Sequence, residues 1–577
     1  MSDASVGKTV LITSTVENGD STKYDHIISV ENLLMEITRD DILDSINRVS
    51  ALDVPNTGCI DFSIVWRRIT KPQTNNLIRA ILLSQQLESH LDELDVTHGI
   101  LVCGESLEEP YVRVVEDIAK TTKLETKRLG QKQSVFTLFI LTRMTGIIIK
   151  MGFVISDWFI TQIIGLFKDP TKKRIIYIPA IERLNSTLSV VDFFETKPQT
   201  IVSEPFWYYI LQFDVKSRLN TYNPTVVQQY LSVSGLAGQI RDLITLFYEV
   251  LTVDSFAPGL NDAVEAEFGV YLESTTKYHV RSTLSNFHLV RALALRRSFR
   301  ALFTEDHIEK VVIGTLDPIG RAIIHEALEQ EIQVYHIPHS IATTNQPNPR
   351  TELVQFLSGE MDIQHYERVV PQDQWWRWVP AGRPYLSNLA DQYGDQKDNR
   401  PANRTEHDRF KVLLATQPFS WSVRKQFVET TLSLCGDRFD VTIKPHPDEN
   451  IGLYEEIESE YENVRVITAD LYEEIVKSDL TVTISSNVGL ESIVIGTPVV
   501  CFNAWEPFIL EQTFAFADEV PVFKSEAEFQ TFTSQLDTKK LTTLQGRQQA
   551  FAKENYYLGP DIERNIVNYI ESDTVEF

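Results

Sequence analysis

Between residues 410 and 503, short apolar and β-branched runs alternate with longer amphipathic stretches. KVLLAT (411–416), DVTIK (440–444), VRVI (464–467), LTVTI (480–484) and PVVCF (498–502) read as strands. Helical periodicity fills 421–436, 451–461, 471–477 and 488–495. Strands that are apolar on both faces and separated by helices predict a parallel sheet covered on either side. The expected element is a Rossmann-like domain over 410–525.

A less regular α/β pattern precedes it. TVLITS (9–14), GILVCG (99–104), RIIYIP (174–179), KVVIGT (310–315) and QVYHIP (333–338) are strand candidates, and 205–300 is mostly helical in pattern. Residues 387–409 are polar and read as a linker, and 526–577 as a helical tail. The predicted organisation is therefore an amino-terminal α/β domain over 1–386, a linker, and a carboxy-terminal α/β domain. In such sheets ligands collect at the carboxyl ends of the strands, so the residues directly after each strand are where chemistry is expected.

Charge changes the picture at one place. The chain of 577 residues carries a net −26, a surface that repels polyanions and argues against a general nucleic-acid binder. Residues 123–174 nonetheless sum to +7 and contain the most apolar sequence of the protein. The longest uncharged runs there, 133–142 and 158–167, are ten residues each, too short to span a bilayer. Arg143, Lys150 and Asp157 recur at a spacing of seven, one stripe of a helix, among Phe, Ile, Val and Trp. The spacing predicts an amphipathic insertion over 131–170 lying on an anionic membrane surface, with Arg143, Lys150, Phe153, Trp158 and Phe159 as contacts. A buried helical hairpin is the alternative.

Cys59, Cys103, Cys435 and Cys501 form no CxxC pair, and the opening MSDASVGKTVLITSTVENGD lacks the basic-then-apolar layout of a secretion signal. The expectation is a cytoplasmic protein with reduced thiols, peripherally attached to the membrane.

Two motifs follow strands. Lys444-Pro445-His446-Pro447 fixes a histidine at the end of the strand 440–444, where imidazole can meet a phosphate or ribose oxygen. Ser485-Ser486-Asn487 follows the strand 480–484 and opens a helical run ending at Gly496-Thr497-Pro498. A helix start there presents N–H groups and a positive dipole to a diphosphate, and Glu491 lies one turn further on, in reach of ribose hydroxyls. A proline-rich turn and an ordinary capped helix are the plain alternatives.

Together, KPHP and SSNVGLESIVIGTPVV resemble the nucleotide-binding domain of GT-B-fold enzymes. They are most similar to capsule and surface-polysaccharide glycosyltransferases of the Kdo-, sialic-acid- and polyol-phosphate-transferring kinds. UDP-N-acetylglucosamine 2-epimerases share the Ser486…Glu491 spacing. GRPYL (382–386) is similar to the Gly-x-Pro step before the interdomain linker of these families. The resemblance implies two Rossmann-like domains in a GT-B arrangement. It also implies a donor site of Lys444, His446, Ser485, Ser486, Asn487 and Glu491.

It further implies transfer from a nucleotide-activated sugar, as co-substrate, to a saccharide or lipid-linked acceptor, without metal or other cofactor. The candidate bases are Asp317 and His339, which follow two amino-terminal strands; those families often carry His-Gly where this chain has Pro338-His339-Ser340. A 2-epimerase-like isomerase, a polyol-phosphate transferase and a non-catalytic scaffold of the same fold are the alternatives. Gly7-Lys8-Thr9 lacks the first glycine of a phosphate loop, His336-x-x-His339 lacks a third ligand, and no Gly-x-Ser-x-Gly elbow occurs.

Overall fold

The computed structural model describes residues 8–13, 24–37, 71–96, 98–103, 109–129, 154–163, 173–179, 185–203, 224–251, 257–284, 287–304, 307–314, 316–337, 353–369, 377–398, 409–419, 421–447, 449–468, 470–504 and 513–572, with a few single positions between them. The chain divides into two compact units. One is Met1–Leu184, Lys197–His336 and Pro347–Leu353; the other is Asn185–Thr196, Ile337–Gln346 and Val354–Phe577.

The five expected amino-terminal strands are divided between two parallel sheets, joined there by four strands that were not expected, at 26–29, 125–128, 199–202 and 225–226. In the first, β1 (Lys8–Thr13), β2 (His26–Ser29), β3 (Gly99–Cys103) and β4 (Glu125–Arg128) run in the order β2-β1-β3-β4. In the second, β5 (Ile175–Ile178), β6 (Gln199–Val202), β7 (Thr225–Val226), β8 (Lys310–Ile313) and β9 (Gln333–His336) run β9-β8-β5-β6-β7, all parallel. The helices of this unit include α1 (Val233–Leu251), Ala257–Phe268, Glu273–Leu284, α2 (Phe287–Phe303) and α3 (Pro318–Leu328).

Residues 154–163 are helical, and among the described residues no helix is long and apolar enough to cross a membrane. Of the stripe Arg143, Lys150 and Asp157 only Asp157 is described, and it is buried; Trp158, expected as a membrane contact, is half-buried with its indole N–H donating to the Leu231 carbonyl at 2.8 Å. Phe159 is exposed, and Arg143, Lys150 and Phe153 lie outside the described residues.

In the second unit β10 (Leu353–Leu357) pairs in parallel with β11 (Arg377–Pro380). The segment expected as a linker begins as helix: Pro384–Asp398 forms α4, whose apolar positions Leu386, Leu389 and Tyr393 pack into the core. Its Asn388, Asp391 and Gln392 are exposed, which is why the composition reads as a linker.

β12 (Phe410–Ala415), β13 (Phe439–Lys444), β14 (Val464–Val466), β15 (Leu480–Thr483), β16 (Val499–Phe502) and β17 (Val522–Phe523) form a six-stranded sheet in the order β14-β13-β12-β15-β16-β17. All pairs are parallel, with Val412 opposite Val441 on one side and Leu480 on the other. In order of appearance this is 3-2-1-4-5-6, the doubly wound Rossmann order.

Pleating sends alternate side chains to opposite faces. Val412, Leu414, Val500 and Phe502 join Phe427, Ile443, Tyr454 and Phe529 in one core layer. Leu413, Val499 and Cys501 join Ile475, Leu490, Ile493, Phe514 and Phe551 in the other. Cover on both faces comes from α5 (Trp421–Cys435), α6 (Gly452–Glu460), α7 (Leu471–Lys477), α8 (Val488–Ile495) and the helices Glu526–Ser534 and Thr538–Asn555. Each fully buried Val, Leu or Ile contributes about 1.5–3 kcal/mol to holding these layers. Cys103, Cys435 and Cys501 are buried, and burial pushes the Cys103 and Cys435 thiols up to about 12.

Candidate functional site: the carboxyl ends of β12, β13 and β15

The strand order reverses between β12 and β15, one leading to β13 and β14 and the other to β16 and β17. A crevice opens at such a reversal because the connections leave in opposite directions. Thr416 and Gln417 follow β12; Ser485, Ser486 and Asn487 follow β15 after one further residue.

Gln417 joins the two ends. Its side-chain Nε2 donates to the Ser485 carbonyl at 2.6 Å, and the Ser485 N–H donates back to its Oε1 at 2.7 Å. This pair reproduces a strand-to-strand ladder with a side-chain amide and fixes the backbone that leads into α8.

At the start of α8, Ser486 is the cap. Its Oγ accepts from the Val488 N–H at 3.3 Å and its carbonyl accepts from the Gly489 N–H at 2.9 Å. Asn487 is already in helical conformation and makes no side-chain cap bond. Its Oδ1 is buried without a hydrogen-bond partner among the described residues. Gly489 is required by packing: a Cβ there would stand 2.2 Å from the Phe514 ring.

Behind β13, Lys444 binds back to β12, its carbonyl accepting from the Thr416 N–H at 3.2 Å. The KPHP loop closes on Glu449, whose N–H donates to the His446 carbonyl at 2.9 Å. The Glu449 carboxylate is buried and gathers three partners on Oε2. Thr416 Oγ1 donates at 2.7 Å, Tyr454 OH at 2.5 Å, and Arg424 Nη1 forms an ion pair at 3.4 Å. Burial first, and then the Glu449 bond, push the Tyr454 hydroxyl up to about 12, so it stays a donor. The loop carrying His446 is thus anchored to β12 and to α5 and α6 by one carboxylate.

Glu491 is buried within α8, 9% exposed, where it interacts with Arg383, Tyr385 and Tyr472. Burial pushes its carboxyl up to about 7, opposed by the Arg383 charge. Arg383 follows Gly382, whose φ is +85° and where a Cβ would stand 2.7 Å from the Tyr557 carbonyl oxygen, so only glycine fits. The GRPYL step therefore delivers a buried guanidinium and a tyrosine next to Glu491.

The structure thus brings Lys444, His446, Ser485, Ser486, Asn487 and Glu491 onto one sheet end and the helix that starts there. Sequence reading missed Gln417, Glu449 and Arg383. Gln417 stands directly after β12, a position that carries weight only once β12 is known to be the central strand. Asp317, in the other unit, follows β8 beside the reversal between β5 and β8. It is exposed and caps α3, its Oδ1 accepting from the Gly320 N–H at 2.7 Å. His339 lies outside the described residues.

No family model matches the chain, and no curated protein matches it in sequence. Among solved structures it is similar to UDP-GlcNAc 2-epimerase from Neisseria meningitidis bound to UDP-GlcNAc, at 12% identity over 69% of this chain and 99% of that one, TM-score 0.42. It is also similar to the S. aureus MnaA–UDP co-structure, at 12% identity over 70% and 96%, TM-score 0.39. A third is a variant of the wall teichoic acid polymerase TagF, at 10% identity over 70% and 89%, TM-score 0.35.

Proposed function

We propose that the protein is a glycosyltransferase whose carboxy-terminal unit binds a nucleotide-activated sugar. The observation that carries the reading is the Gln417–Ser485 pair, which holds the start of α8 at the strand-order reversal. There the Ser486 and Asn487 amides and the buried Asn487 Oδ1 make no hydrogen bond among the described residues. A helix start with unused N–H groups suits a diphosphate, and Lys444 and His446 on the neighbouring strand end add positive charge and donors.

In the proposed reaction an acceptor hydroxyl attacks the anomeric carbon of the donor sugar. A base takes the hydroxyl proton, the bond from that carbon to the phosphate oxygen breaks, and the nucleotide leaves with the electron pair. The α8 amides, Lys444 and His446 stabilise the charge on the departing phosphate. For the base we assign Asp317 or His339. The acceptor is a saccharide, free or lipid-linked, of a surface glycan.

The test is a thermal-shift panel with UDP, CMP, GDP, CDP and ADP on the wild type and on His446→Ala. A nucleotide at 100 times its dissociation constant stabilises by about 2.7 kcal/mol. One nucleotide should shift the wild type and not the variant. No shift with any of the five would overturn the donor site. Product analysis with the responding nucleotide sugar then separates transfer from isomerisation, because an isomerase converts it with no acceptor present.

A further inference from the structure

Arg296 and Arg300 of α2 share the buried carboxylate of Glu326 in α3, Arg297 pairs with Asp242 of α1, and Arg128 at the end of β4 pairs with Glu109 and Glu116. Arg321 of α3 differs. It is 7% exposed, and its Nε donates to the Leu316 carbonyl at 2.8 Å. Its two terminal nitrogens make no hydrogen bond among the described residues. Burial pulls the guanidinium down to about 10, with the Asp317 charge opposing, so it is a cation at neutral pH.

A helical side chain leans toward the start of its helix, and the bond to Leu316, just ahead of the cap Asp317, pins the guanidinium over the first turn of α3. That turn leaves the carboxyl end of β8, beside the strand-order reversal with β5. The Ile319 N–H of the same turn has no acceptor within the helix. On the other side of β5, Arg291 Nη2 donates to the carbonyl of Ser203, the residue after β6, at 3.1 Å. β8 and β6 each lie one strand spacing from β5, about 5 Å. Two guanidinium groups thus flank the β5 end, at the edge of the sheet where ligands collect.

Negative charge enters this place through Asp317, which is exposed and whose Oδ1 is taken by the Gly320 N–H at 2.7 Å. A buried cation whose donors are unused is costly until a partner meets it. The planar fork of a guanidinium fits two oxygens of one carboxylate or phosphate, and a neutral sugar offers no such pair.

We infer that the carboxyl ends of β8, β5 and β6 form a binding site for the carboxylate or phosphate group of a small-molecule ligand, with Arg321 as its anchor. The site belongs to the amino-terminal unit and does not depend on nucleotide binding elsewhere. Under the transferase reading, on which only this identification rests, the ligand is the acceptor, an acidic or phosphorylated saccharide.

Isothermal titration of the full chain with glucose 6-phosphate, glucuronate and glucose at constant ionic strength tests it. One or both anions should bind saturably, and glucose about tenfold more weakly or worse. The tighter of the two anions tells phosphate from carboxylate. Arg321→Gln should weaken that anion by about tenfold or more, and Arg321→Lys by less. Asp317→Asn keeps a capping side chain and removes the neighbouring negative charge, so it should bind the anion several-fold more tightly. The nucleotide panel is run on the same proteins. An anion that binds where no nucleotide does leaves this site standing and removes the donor reading alone. The inference is overturned if neither anion binds, if glucose binds as tightly as the anions, if Arg321→Gln binds them like the wild type, or if Asp317→Asn leaves their affinity unchanged. The last of these decides the matter even where Arg321→Gln does not fold.

Discussion

Gln417 and Ser485 exchange two hydrogen bonds, at 2.6 and 2.7 Å, across the carboxyl ends of β12 and β15. One side-chain amide thereby sets the backbone from which α8 starts. Gln417→Ala should leave the Ser485 N–H and carbonyl unmatched, at about 1–3 kcal/mol. The expected result is a melting temperature lower by a few degrees and a weaker response to the nucleotide that stabilises the wild type. Gln417→Glu should be worse for binding than Gln417→Ala, because it replaces a donor to the Ser485 carbonyl by a negative charge beside a phosphate site. Equal nucleotide affinity in all three proteins would remove Gln417 from the site.

Glu491 supplies a pH test. Its carboxyl is raised from 4.5 to about 7 by burial, so the folded state holds the proton more tightly than the unfolded chain. A group raised in this way favours folding at low pH, and the benefit fades as pH rises from about 4.5 through about 7, amounting to up to about 3 kcal/mol. Glu491→Gln should therefore match the wild type near pH 5 and melt higher than it at pH 8. A constant difference between the two proteins across that range would contradict the burial argument.

Gly489 and Phe514 form a steric pair. Gly489→Ala should force the ring aside and destabilise by about 1–3 kcal/mol. Phe514→Leu should cost stability by itself, yet the double variant should be more stable than the sum of the two single losses predicts. Additive losses in chemical denaturation would show that the 2.2 Å approach is relieved elsewhere.

Glu449 anchors the His446 loop. Glu449→Leu removes the acceptor for Thr416 and Tyr454 and leaves Arg424, 9% exposed, without its carboxylate. Breaking a buried pair in this way costs about 3–5 kcal/mol. Tyr454→Phe keeps the ion pair and should cost about 1 kcal/mol. Nucleotide binding should fall in both variants in proportion to the loosening of the loop, read as increased amide exchange at His446.

The carboxy-terminal sheet was legible because its strands are apolar on both faces. Val412, Leu413 and Leu414 alternate between two buried layers, and only a covered parallel sheet accepts that pattern without a polar face. The KPHP and SSN motifs were legible because proline and cap residues act on the backbone within a few positions of themselves. The expected linker was misread for the converse reason: α4 buries Leu386, Leu389 and Tyr393 while Asn388, Asp391 and Gln392 are exposed, so its average composition is that of a loop.

The helix at 154–163 shows a different limit. Periodicity at seven groups Asp157 with Arg143 and Lys150, and of the three only Asp157 is described. Which side of the helix faces the protein is set by Leu231 and Gln228, about seventy residues away, through Trp158 and Gln162.

Local pattern by itself determined the strands and helices of the carboxy-terminal sheet over 410–502 and which residues stand at those strand ends, because pleat, pitch and capping act within a few residues. Strand order was decided only in three dimensions, since it depends on which connection packs over which face. With it came the reversal between β12 and β15, the partnership of Gln417 with Ser485, and the meeting of Arg383 with Glu491, pairs separated by 68 and 108 positions that no periodicity within the chain connects.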